Sequence, residues 1–385
     1  MSDRERKNRS GSSRISSSRG EFDFINRIRQ RALHQFSIDK RSTAKASDSS
    51  LIAHHSSLTN HHSSLLLGIG DDAAIIGQPG RGETVITTDM LVEEIDFRLE
   101  TMPPRLLGHK ALVVSLSDMA AMGARPRWSL LSIGLPREIW ETPFVDDFYE
   151  GFFALASRHG VSLVGGDVSR TPERVVVDSI VLGETAPGRA ILRAGASPGD
   201  HIFVTGTLGG SATGLRLLER GARLKGHGGA SPTKRRARSC EARAVEELLL
   251  RHLRPEARVE WGELLGALRL ATAMIDLSDG LSSDLQHLCR ESRAGAIIEA
   301  SRVPVNPFIR ELRDDEFDPL ALALHGGEDF ELLFTVSPRN LKRLPREVRG
   351  VPITYLGDVT NEAGRVMLAE GAHHRRLKAQ GFSHF

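Results

Sequence analysis

Residues 105–123 read RLLGHKALVVSLSDMAAMG and lie between two β-rich runs, GETVITTD at 82–89 and RWSLLSIGLP at 127–136. Apolar side chains recur at helical spacing in the first stretch, whereas the flanking runs have the apolar and β-branched content typical of strands. The alternation continues with a helical pattern at 143–159 and the strand-like runs VSLVGGD and RVVVDSIVLGET. Alternating strands and helices predict an α/β or α+β domain, which we place at 65–186.

A second domain is predicted at 187–385, and it begins with the Gly/Pro-rich stretch Pro187–Gly199. The strand-like runs HIFVTG, ATAMID, AGAIIEA, FELLFTV and ITYLGDV occur there together with the helical patterns SATGLRLLER and LSSDLQHLCRES. Residues 222–240 are polar and basic with little to bury, which predicts an inserted basic surface loop.

The N-terminal residues have a different composition. Residues 1–20 are rich in Ser and Arg and nearly free of large apolar groups, which predicts a disordered tail. Residues 21–64 combine a short amphipathic pattern, typical of a helix, with a Ser- and His-rich stretch that predicts a solvated polar loop. The N-terminus lacks the apolar stretch of a secretory signal, and no apolar run is long enough to span a bilayer.

Overall composition narrows the functional classes. The chain has 385 residues, of which 40% are hydrophobic and 26% charged, with a formal net charge of +2. Such a chain can bury a large core without disulfides, and its charge gives no strong field toward nucleic acid or membranes. Cys240 and Cys289 form no CxxC and no disulfide framework, so we expect reduced thiols in a cytoplasmic protein.

Aspartates beside glycine or serine recur where predicted strands end. Asp89, Asp167 and Asp276 each follow an apolar strand-like run, and Asp118 lies on an otherwise apolar or small stripe of the helical stretch 105–123. Individually each is more often a cap or turn residue. Together they predict carboxylates that converge and repel one another, which hard divalent cations with oxygen ligands relieve. Since magnesium is commonly shared between carboxylates and substrate phosphates, the pattern predicts a multi-magnesium phosphate site.

Glycines beside these carboxylates permit tight turns and close backbone approach to a phosphate. A further Gly-rich run, GTLGG at 206–210, precedes a helical pattern and either cradles an anion or simply turns the chain. There is no Walker A loop, no protein-kinase motif set, no H-E-x-x-H and no G-x-S-x-G. Kinase chemistry in this chain therefore needs another phosphate-binding scheme.

The chain carries a series of motifs over residues 65–385: GIGDDAAII, VITTDMLVEEIDF, HKALVVSLSDMAAMGARP, LVGGDVSRT, GRAILRAGASPGDHIFVTGTLG, IDLSDGLSSDL and HGGEDFELLFTV. In this series it resembles the thiamine-monophosphate kinase family of the aminoimidazole-ribonucleotide-synthetase-like ATP-binding superfamily. The resemblance implies a two-domain fold with an N-terminal mixed sheet flanked by helices, a C-terminal α+β domain, and dimers that pair N-terminal sheets.

The resemblance also implies roles for individual residues. The implied magnesium ligands are Asp72, Thr87, Thr88, Asp89, Asp118, Asp167, Asp276 and Asp279. The implied ATP contacts are Gly166, Asp167, Arg193 and Ser278, and the implied substrate contacts are Asp96, Glu328 and Phe382. A carboxylate at Glu328 would attract the thiazolium cation or accept a hydrogen bond from the aminopyrimidine, and Phe382 would pack on the substrate ring.

The activity implied is ATP-dependent phosphorylation of thiamine phosphate to thiamine diphosphate, the final step of thiamine diphosphate biosynthesis, with several Mg²⁺ ions and ATP as co-substrate. Direct in-line transfer without a covalent intermediate is expected, and a strong general base is unnecessary because the acceptor is already an ionised phosphate oxygen. We expect a cytoplasmic homodimer without a membrane or nucleic-acid partner.

Other interpretations stay open. A selenophosphate synthetase would need a reactive Cys near its N-terminal Gly-rich segment, whereas the first Cys here is Cys240. A hydrogenase-maturation relative would need a C-terminal Cys, whereas this sequence ends in GFSHF. Aminoimidazole ribonucleotide synthetase is disfavoured by the IDLSDGL and GGEDFELLF motifs. A non-catalytic nucleotide or thiamine-phosphate sensor would bind ATP without ADP release, and a nucleic-acid-associated protein would bind RNA with steep salt dependence.

Overall fold

The computed structural model describes residues 65–77, 82–224, 239–312 and 314–381, and all of them belong to one compact unit. At residues 239 and 240 it describes the backbone alone. The predictions for the tail at 1–20, for the helix and polar loop at 21–64, for most of the basic loop and for Phe382 lie outside the described residues.

The first half of the described chain forms a six-stranded mixed sheet with helices packed against it. Its strands are β1 (Leu65–Leu67), β2 (Ala74–Gly77), β3 (Glu83–Val92), β4 (Arg125–Leu135), β5 (Ser162–Arg170) and β6 (Val176–Thr185), in the order β1-β2-β3-β6-β4-β5. The β4–β5 pair is parallel and the other pairs are antiparallel. The helices are α1 (Pro104–Ala121), α2 (Arg137–Trp140) and α3 (Phe144–His159).

Helix α1 is buried on nearly all sides, between the sheet and α3. Two glycines let the two helices touch through their backbones. A Cβ at Gly108 would lie 1.8 Å from the carbonyl oxygen of Phe148, and a Cβ at Gly151 would lie 1.7 Å from that of Arg105. Beyond the exposed Arg105 at its start, the polar side chains of this helix therefore lie mostly within protein rather than in water, which makes charged residues there costly unless they are paired.

The second half forms an eight-stranded mixed sheet. Its strands are β7 (His201–Thr205), β8 (Ala271–Asp276), β9 (Gly295–Glu299), β10 (Leu332–Val336), β11 (Glu347–Val348), β12 (Val351–Thr360), β13 (Val366–Glu370) and β14 (His373–Arg376). They lie in the order β14-β13-β9-β12-β7-β10-β8, with β11 paired to β12. The helices are α4 (Gly210–Glu219), α5 (Ser239–Leu253), α6 (Val259–Leu268), α7 (Leu281–Glu291), α8 (Pro307–Glu311) and α9 (Pro319–His325).

The predicted fold class, a mixed sheet with helices followed by an α+β half, is confirmed. Helix α6 and the β13–β14 hairpin were not predicted. The expectation that Asp89 and Asp167 end their strands is wrong, because β3 and β5 continue for three residues beyond each of them. The boundary at 186–187 falls between β6 and β7 and stays a prediction. No helix in the described part of the chain is both long and apolar enough to cross a bilayer.

Candidate active site

Three carboxylates from distant parts of the chain meet at one place. Asp72 comes from the loop between β1 and β2, Asp118 from the last turn of α1, and Asp276 from the end of β8. One oxygen of each lies within 4.8 Å of the corresponding oxygens of the other two. The structure thus gathers these three residues, which we call the carboxylate cluster, from both halves of the described chain.

Hydroxyl groups orient two members of the cluster. The Ser117 hydroxyl donates to Oδ2 of Asp276 at 2.7 Å, and the Thr87 hydroxyl donates to Oδ2 of Asp118. Ser117 is completely buried, so its hydrogen bond is shielded from water. Each carboxylate keeps lone pairs free for a further ligand, because a carboxylate offers about four acceptor sites.

Burial and mutual repulsion make the ionised cluster unfavourable. Burial raises the pKa of Asp118 well above its usual range, and the charges of Asp89, Asp276 and Asp72 add to the effect. Burial, followed by the charge of Asp72, raises the pKa of Asp276 to about 7. Burial also raises the pKa of Asp89 to about 6, although the Ser115 hydroxyl opposes the shift. A counter-cation would remove this penalty.

The donor set fits a hard divalent cation. Oδ2 of Asp72 is buried and has no hydrogen-bond partner among the described residues, which is costly for a carboxylate oxygen. The three groups that approach one another are all carboxylates, and carboxylate oxygens are the ligands that Mg²⁺ and Ca²⁺ prefer. An unpartnered buried carboxylate oxygen beside carboxyl groups of raised pKa therefore fits a binding site for a divalent cation.

Arg193, a predicted ATP contact, lies beside the cluster. Its Nε donates to Oδ1 of Asp72 at 3.1 Å, a second guanidinium nitrogen donates to the same oxygen, and its backbone N–H donates to Oδ2 of Asp71 at 3.1 Å. Burial disfavours the charged form, but the Asp72 and Asp71 carboxylates outweigh it and raise the pKa of Arg193. The side chain stays 22% exposed, so the guanidinium could also donate to an arriving phosphate.

Strand β3 carries three predicted metal ligands, and strand alternation places the side chain of one of them, Thr88, on the opposite face from the other two. Asp89 shares a face with Thr87 and accepts a hydrogen bond from the Ser115 hydroxyl at 2.8 Å. Thr88 points to the opposite face, where its hydroxyl donates to Oδ1 of Asp178 at 2.8 Å. The Thr88 hydroxyl is therefore turned away from the cluster, and only its backbone oxygen could serve a metal there.

Asp167 and Gly166 lie in the middle of the edge strand β5. Asp167 is exposed, and its side chain makes no hydrogen bond or ion pair with another described residue and stands outside the carboxylate cluster. Gly166 has φ +154°, and a Cβ there would lie 1.9 Å from the carbonyl oxygen of Leu131. Strand packing alone thus requires glycine at 166, and the metal and ATP roles of both residues stay predictions.

The turn after β8 carries Ser278 and Asp279, and a buried carboxylate fixes it. Oδ2 of Asp284 accepts the backbone N–H of Asp279 at 3.2 Å and of Gly280 at 3.0 Å. Burial raises the pKa of Asp284 well above its usual range. Asp279 itself stands outside the group of three, and Ser278 is exposed, so the metal contact of Asp279 and the ATP contact of Ser278 stay predictions.

Two predicted substrate residues, Asp96 and Glu328, share one partner. Nζ of Lys110 lies 2.7 Å from Oε1 of Glu328 and 3.4 Å from the carbonyl oxygen of Asp96. Nδ1 of His252 lies 3.2 Å from Oε2 of Glu328. Burial disfavours the ionised form of Glu328, but Lys110 and His252 outweigh burial and lower the pKa of this carboxylate to about 2.

The Gly-rich run at 206–210 binds a carboxyl group of the protein itself. Oδ2 of Asp329 accepts the backbone N–H of Gly209 at 2.6 Å, and Oδ1 accepts that of Ser211 at 3.1 Å. This carboxylate satisfies donors at the start of α4 that an outside phosphate would otherwise use. Of the two interpretations of the run, the structure favours chain turning.

Several contributors were not predicted as site residues, among them Lys110, Ser115, Ser117 and His252. The first three lie in the helical stretch 105–123, where a charged or hydroxyl residue inside a buried helix was a readable signal. His252 gives no local signal, because its role depends on Glu328, which belongs to a distant segment.

Known proteins share this arrangement of segments. The family model described as AIR synthase related protein, N-terminal domain, matches residues 70–185, and the C-terminal domain model matches 197–369. The chain is 37% identical to thiamine-monophosphate kinase of Escherichia coli (strain K12), over 83% of this chain and 92% of the relative. It is 36% identical to thiamine-monophosphate kinase of Bacillus subtilis (strain 168), over 95% and 99%. A solved structure described as AaThiL complexed with AMPPCP and TMP matches with a TM-score of 0.72 and 28% identity, over 98% of this chain and 100% of that one.

Proposed function

The chain belongs to the thiamine-monophosphate kinase family, and from this premise we propose that it transfers the γ-phosphoryl group of ATP to thiamine phosphate, giving thiamine diphosphate and ADP. The observation that carries the proposal is the carboxylate cluster, which unites Asp72, Asp118 and Asp276 from both halves of the described chain. Such a cluster suits polyphosphate chemistry, because two anionic substrates must be brought together. The AaThiL complex with AMPPCP and TMP supports ATP and thiamine phosphate as the two substrates.

Asp72, Asp118 and Asp276 would hold Mg²⁺, with Asp89 close enough to add to their negative potential. Bound Mg²⁺ would neutralise phosphate oxygens and the charge that develops during transfer. The binding of several magnesium ions, including contacts from Asp167, Asp279 and the Thr88 backbone, belongs to the same proposal.

The residues themselves orient the reactants. The terminal phosphate oxygen of thiamine phosphate forms a bond to the γ-phosphorus of ATP while the bond to the β,γ-bridging oxygen breaks, and ADP leaves with that electron pair. No proton has to be removed from the acceptor, so no strong general base is required. Arg193 is placed to donate to phosphate oxygens, and Thr87 and Ser117 keep Asp118 and Asp276 in fixed orientations.

A homodimer is part of the proposal. The face of the first sheet that lies opposite α1 exposes Met90 of β3 and Trp128 of β4. A second copy that covers this surface would remove apolar area from water. Sedimentation of wild type and of Trp128→Lys tests it, since a wild-type monomer at micromolar concentration would refute the dimer. A cytoplasmic location stays a prediction from the sequence.

The test of function is a coupled ADP-release assay with thiamine phosphate, thiamine and an aminoimidazole precursor offered separately. We expect turnover with thiamine phosphate alone. Asp118→Asn and Asp279→Asn should each lower turnover by about two orders of magnitude or more while the fold stays intact, whereas the exposed control Asp146→Asn should not. Near-normal rates in both site variants would refute the cluster as the origin of catalysis, and ATP binding without ADP release would favour a sensor.

A further inference from the structure

We propose that Lys110 is a positioning residue for the phosphoryl acceptor, because it contacts both the Glu328 carboxylate and the backbone of the turn at Asp96 and so fixes their relative positions. The inference rests on the proposed function and adds a residue to it. Lys110 lies inside helix α1 with a side chain that is 0% exposed, whereas the Glu328 side chain is 32% exposed. Glu328 can therefore contact a substrate, and Lys110 holds it from behind.

The ion pair is built for orientation as well as for charge. Lys110 contacts Oε1 of Glu328 at 2.7 Å, and His252 contacts Oε2 at 3.2 Å, so both oxygens have a partner on the protein side. Burial, then the charge of Lys110, lowers the pKa of His252, so the ring is neutral near pH 7 and the lysine is the cation of the group. A carboxylate held at both oxygens cannot rotate away without losing one contact.

The backbone of Glu328 gives independent support. Its φ of +60° lies in the left-handed region, which is uncommon for a residue with a side chain. The nearby Phe330 also has positive φ, 49°. Such conformations persist where surrounding contacts impose them and are frequent at ligand sites. The strained turn turns the Glu328 carboxylate toward Lys110 while the residue keeps a third of its side chain open.

This turn is joined directly to the segment that carries the cluster. The Glu328 N–H donates to the Ser278 carbonyl oxygen at 2.8 Å, and the Phe330 N–H donates to that of Leu277 at 3.0 Å. On the other side, Lys110 shares helix α1 with Asp118, about 12 Å away along the helix axis at about 1.5 Å per residue. Lys110 thus fixes the distance between the group that recognises the acceptor and the cluster where its phosphate reacts.

An ordinary buried ion pair elsewhere in the second half provides the contrast. Arg258 and Glu331 form a close pair with side chains that are 10% and 0% exposed, so neither can touch a substrate. In both pairs, removal of one partner should destabilise the fold, because the other charge would stay buried and unpaired. Only the Lys110 pair should, in addition, change affinity for one substrate and leave the other unchanged.

The experiment compares Lys110→Met, Glu328→Gln, the double variant Lys110→Met/Glu328→Gln, and the control Arg258→Met/Glu331→Gln. For each, kcat and KM for thiamine phosphate and for ATP are measured, together with Kd for a non-hydrolysable ATP analogue in Mg²⁺. We expect Lys110→Met and the double variant to raise KM for thiamine phosphate by about tenfold or more, with ATP values within about threefold of wild type. The control should keep both substrates within about threefold.

The double variant keeps the test available even if Lys110→Met does not fold, because it leaves no unpaired buried charge. Since Lys110 acts through Glu328, the KM of the double variant for thiamine phosphate should equal that of Glu328→Gln, and a further loss beyond Glu328→Gln would contradict the positioning role. A double variant with wild-type KM for thiamine phosphate, or with equal losses for both substrates, would overturn the assignment and leave the proposed function standing. Absence of turnover by the wild-type enzyme with any acceptor would refute the proposed function, and the role of Lys110 with it.

Discussion

Asp276→Asn should stabilise the metal-free protein and weaken its response to magnesium. Asn keeps the shape of the side chain and an oxygen that can accept the Ser117 hydroxyl, so the substitution removes charge with little change in packing. In the wild type, Asp276 is completely enclosed beside Asp72 and Asp118, and their oxygens lie within 4.8 Å of one another. The charge of Asp276 therefore opposes folding when no cation is present.

The size of the effect follows from the geometry. At an effective dielectric constant of about 20, two unit charges 4.8 Å apart repel by about 3.5 kcal/mol, and Asp276 takes part in two such pairs. Arg193 offsets part of this repulsion, and the raised pKa values mean that the cluster is partly protonated near neutral pH. We therefore expect a net gain of about 1–3 kcal/mol, or a rise in Tm of about 2–6 °C, in the absence of metal.

Thermal unfolding in EDTA and in saturating Mg²⁺ measures both the stability of the metal-free protein and its response to magnesium. Magnesium at about a hundred times its Kd should stabilise the wild type by about 2.7 kcal/mol, and the variant should lose most of that gain. The Tm advantage of the variant in EDTA should therefore shrink by most of that gain, or reverse, when magnesium is added. The matched control is Asp200→Asn, a buried carboxylate that accepts hydrogen bonds from Ser197 and Thr272 away from the cluster, and it should lower Tm equally in both.

Two results would refute this reasoning. A lower Tm for Asp276→Asn in EDTA would mean that its charge is already compensated within the protein. An equal rise in Tm on adding magnesium to the wild type and the variant would mean that Asp276 does not contribute to cation binding.

Three further predictions concern other parts of the molecule. Gly166→Ala should lower the free energy of unfolding by about 2 kcal/mol or more, seen as a lower Tm, because its Cβ would clash with the neighbouring strand. A Cβ at Gly165 meets nothing closer than 3.6 Å, so Gly165→Ala should lower it by less than about 1 kcal/mol, and equal losses would contradict the packing argument. Burial raises the pKa of the Cys289 thiol to about 12, so in a Cys240→Ser background a thiol reagent should not react near pH 8 until the protein is denatured, and fast native labelling would contradict it. Because the pKa of Glu328 is lowered, the stabilisation from its ionised carboxylate is present above about pH 4.5 and is lost as pH falls toward about 2. In acid titrations, the difference in unfolding free energy between wild type and Glu328→Gln should therefore shrink over that range. A constant difference would contradict this prediction.

Much of the fold could be predicted from the local spacing of apolar residues. The helix at 104–121 and the strands that flank it were predicted because their apolar spacing is read within a few residues. The order of the strands and the position of β5 at an edge depend on pairings between distant segments, which no local pattern encodes. The ends of β3 and β5 were misplaced because a polar residue looks like a strand end when its partner, such as Ser115 for Asp89, is unknown.

The site divides in the same way. Asp118 and Asp276 were predicted as ligands because carboxylates in apolar settings need a partner of opposite charge, whereas Asp72 was implied only by the family resemblance. The opposite orientations of Thr87 and Thr88 were readable from strand alternation alone, since successive side chains point to opposite faces. The positioning bonds were not readable, because Ser117 and Asp276, for example, are 159 positions apart and meet only in the folded chain.

The cluster also places a demand on the packing around it. Repulsion among its carboxylates pushes apart the segments that supply them, so those segments must be held by contacts elsewhere. Helix α1, which carries Asp118, meets α6 of the second half so closely that a Cβ at Gly262 would lie 2.1 Å from the Ala120 carbonyl oxygen. Trp261 beside it is 1% exposed and belongs to the same apolar core as residues of α1. This close contact between the two halves thus lies within two residues of Asp118, where rigid packing is needed if the mutually repelling carboxylates are to stay together before a cation binds.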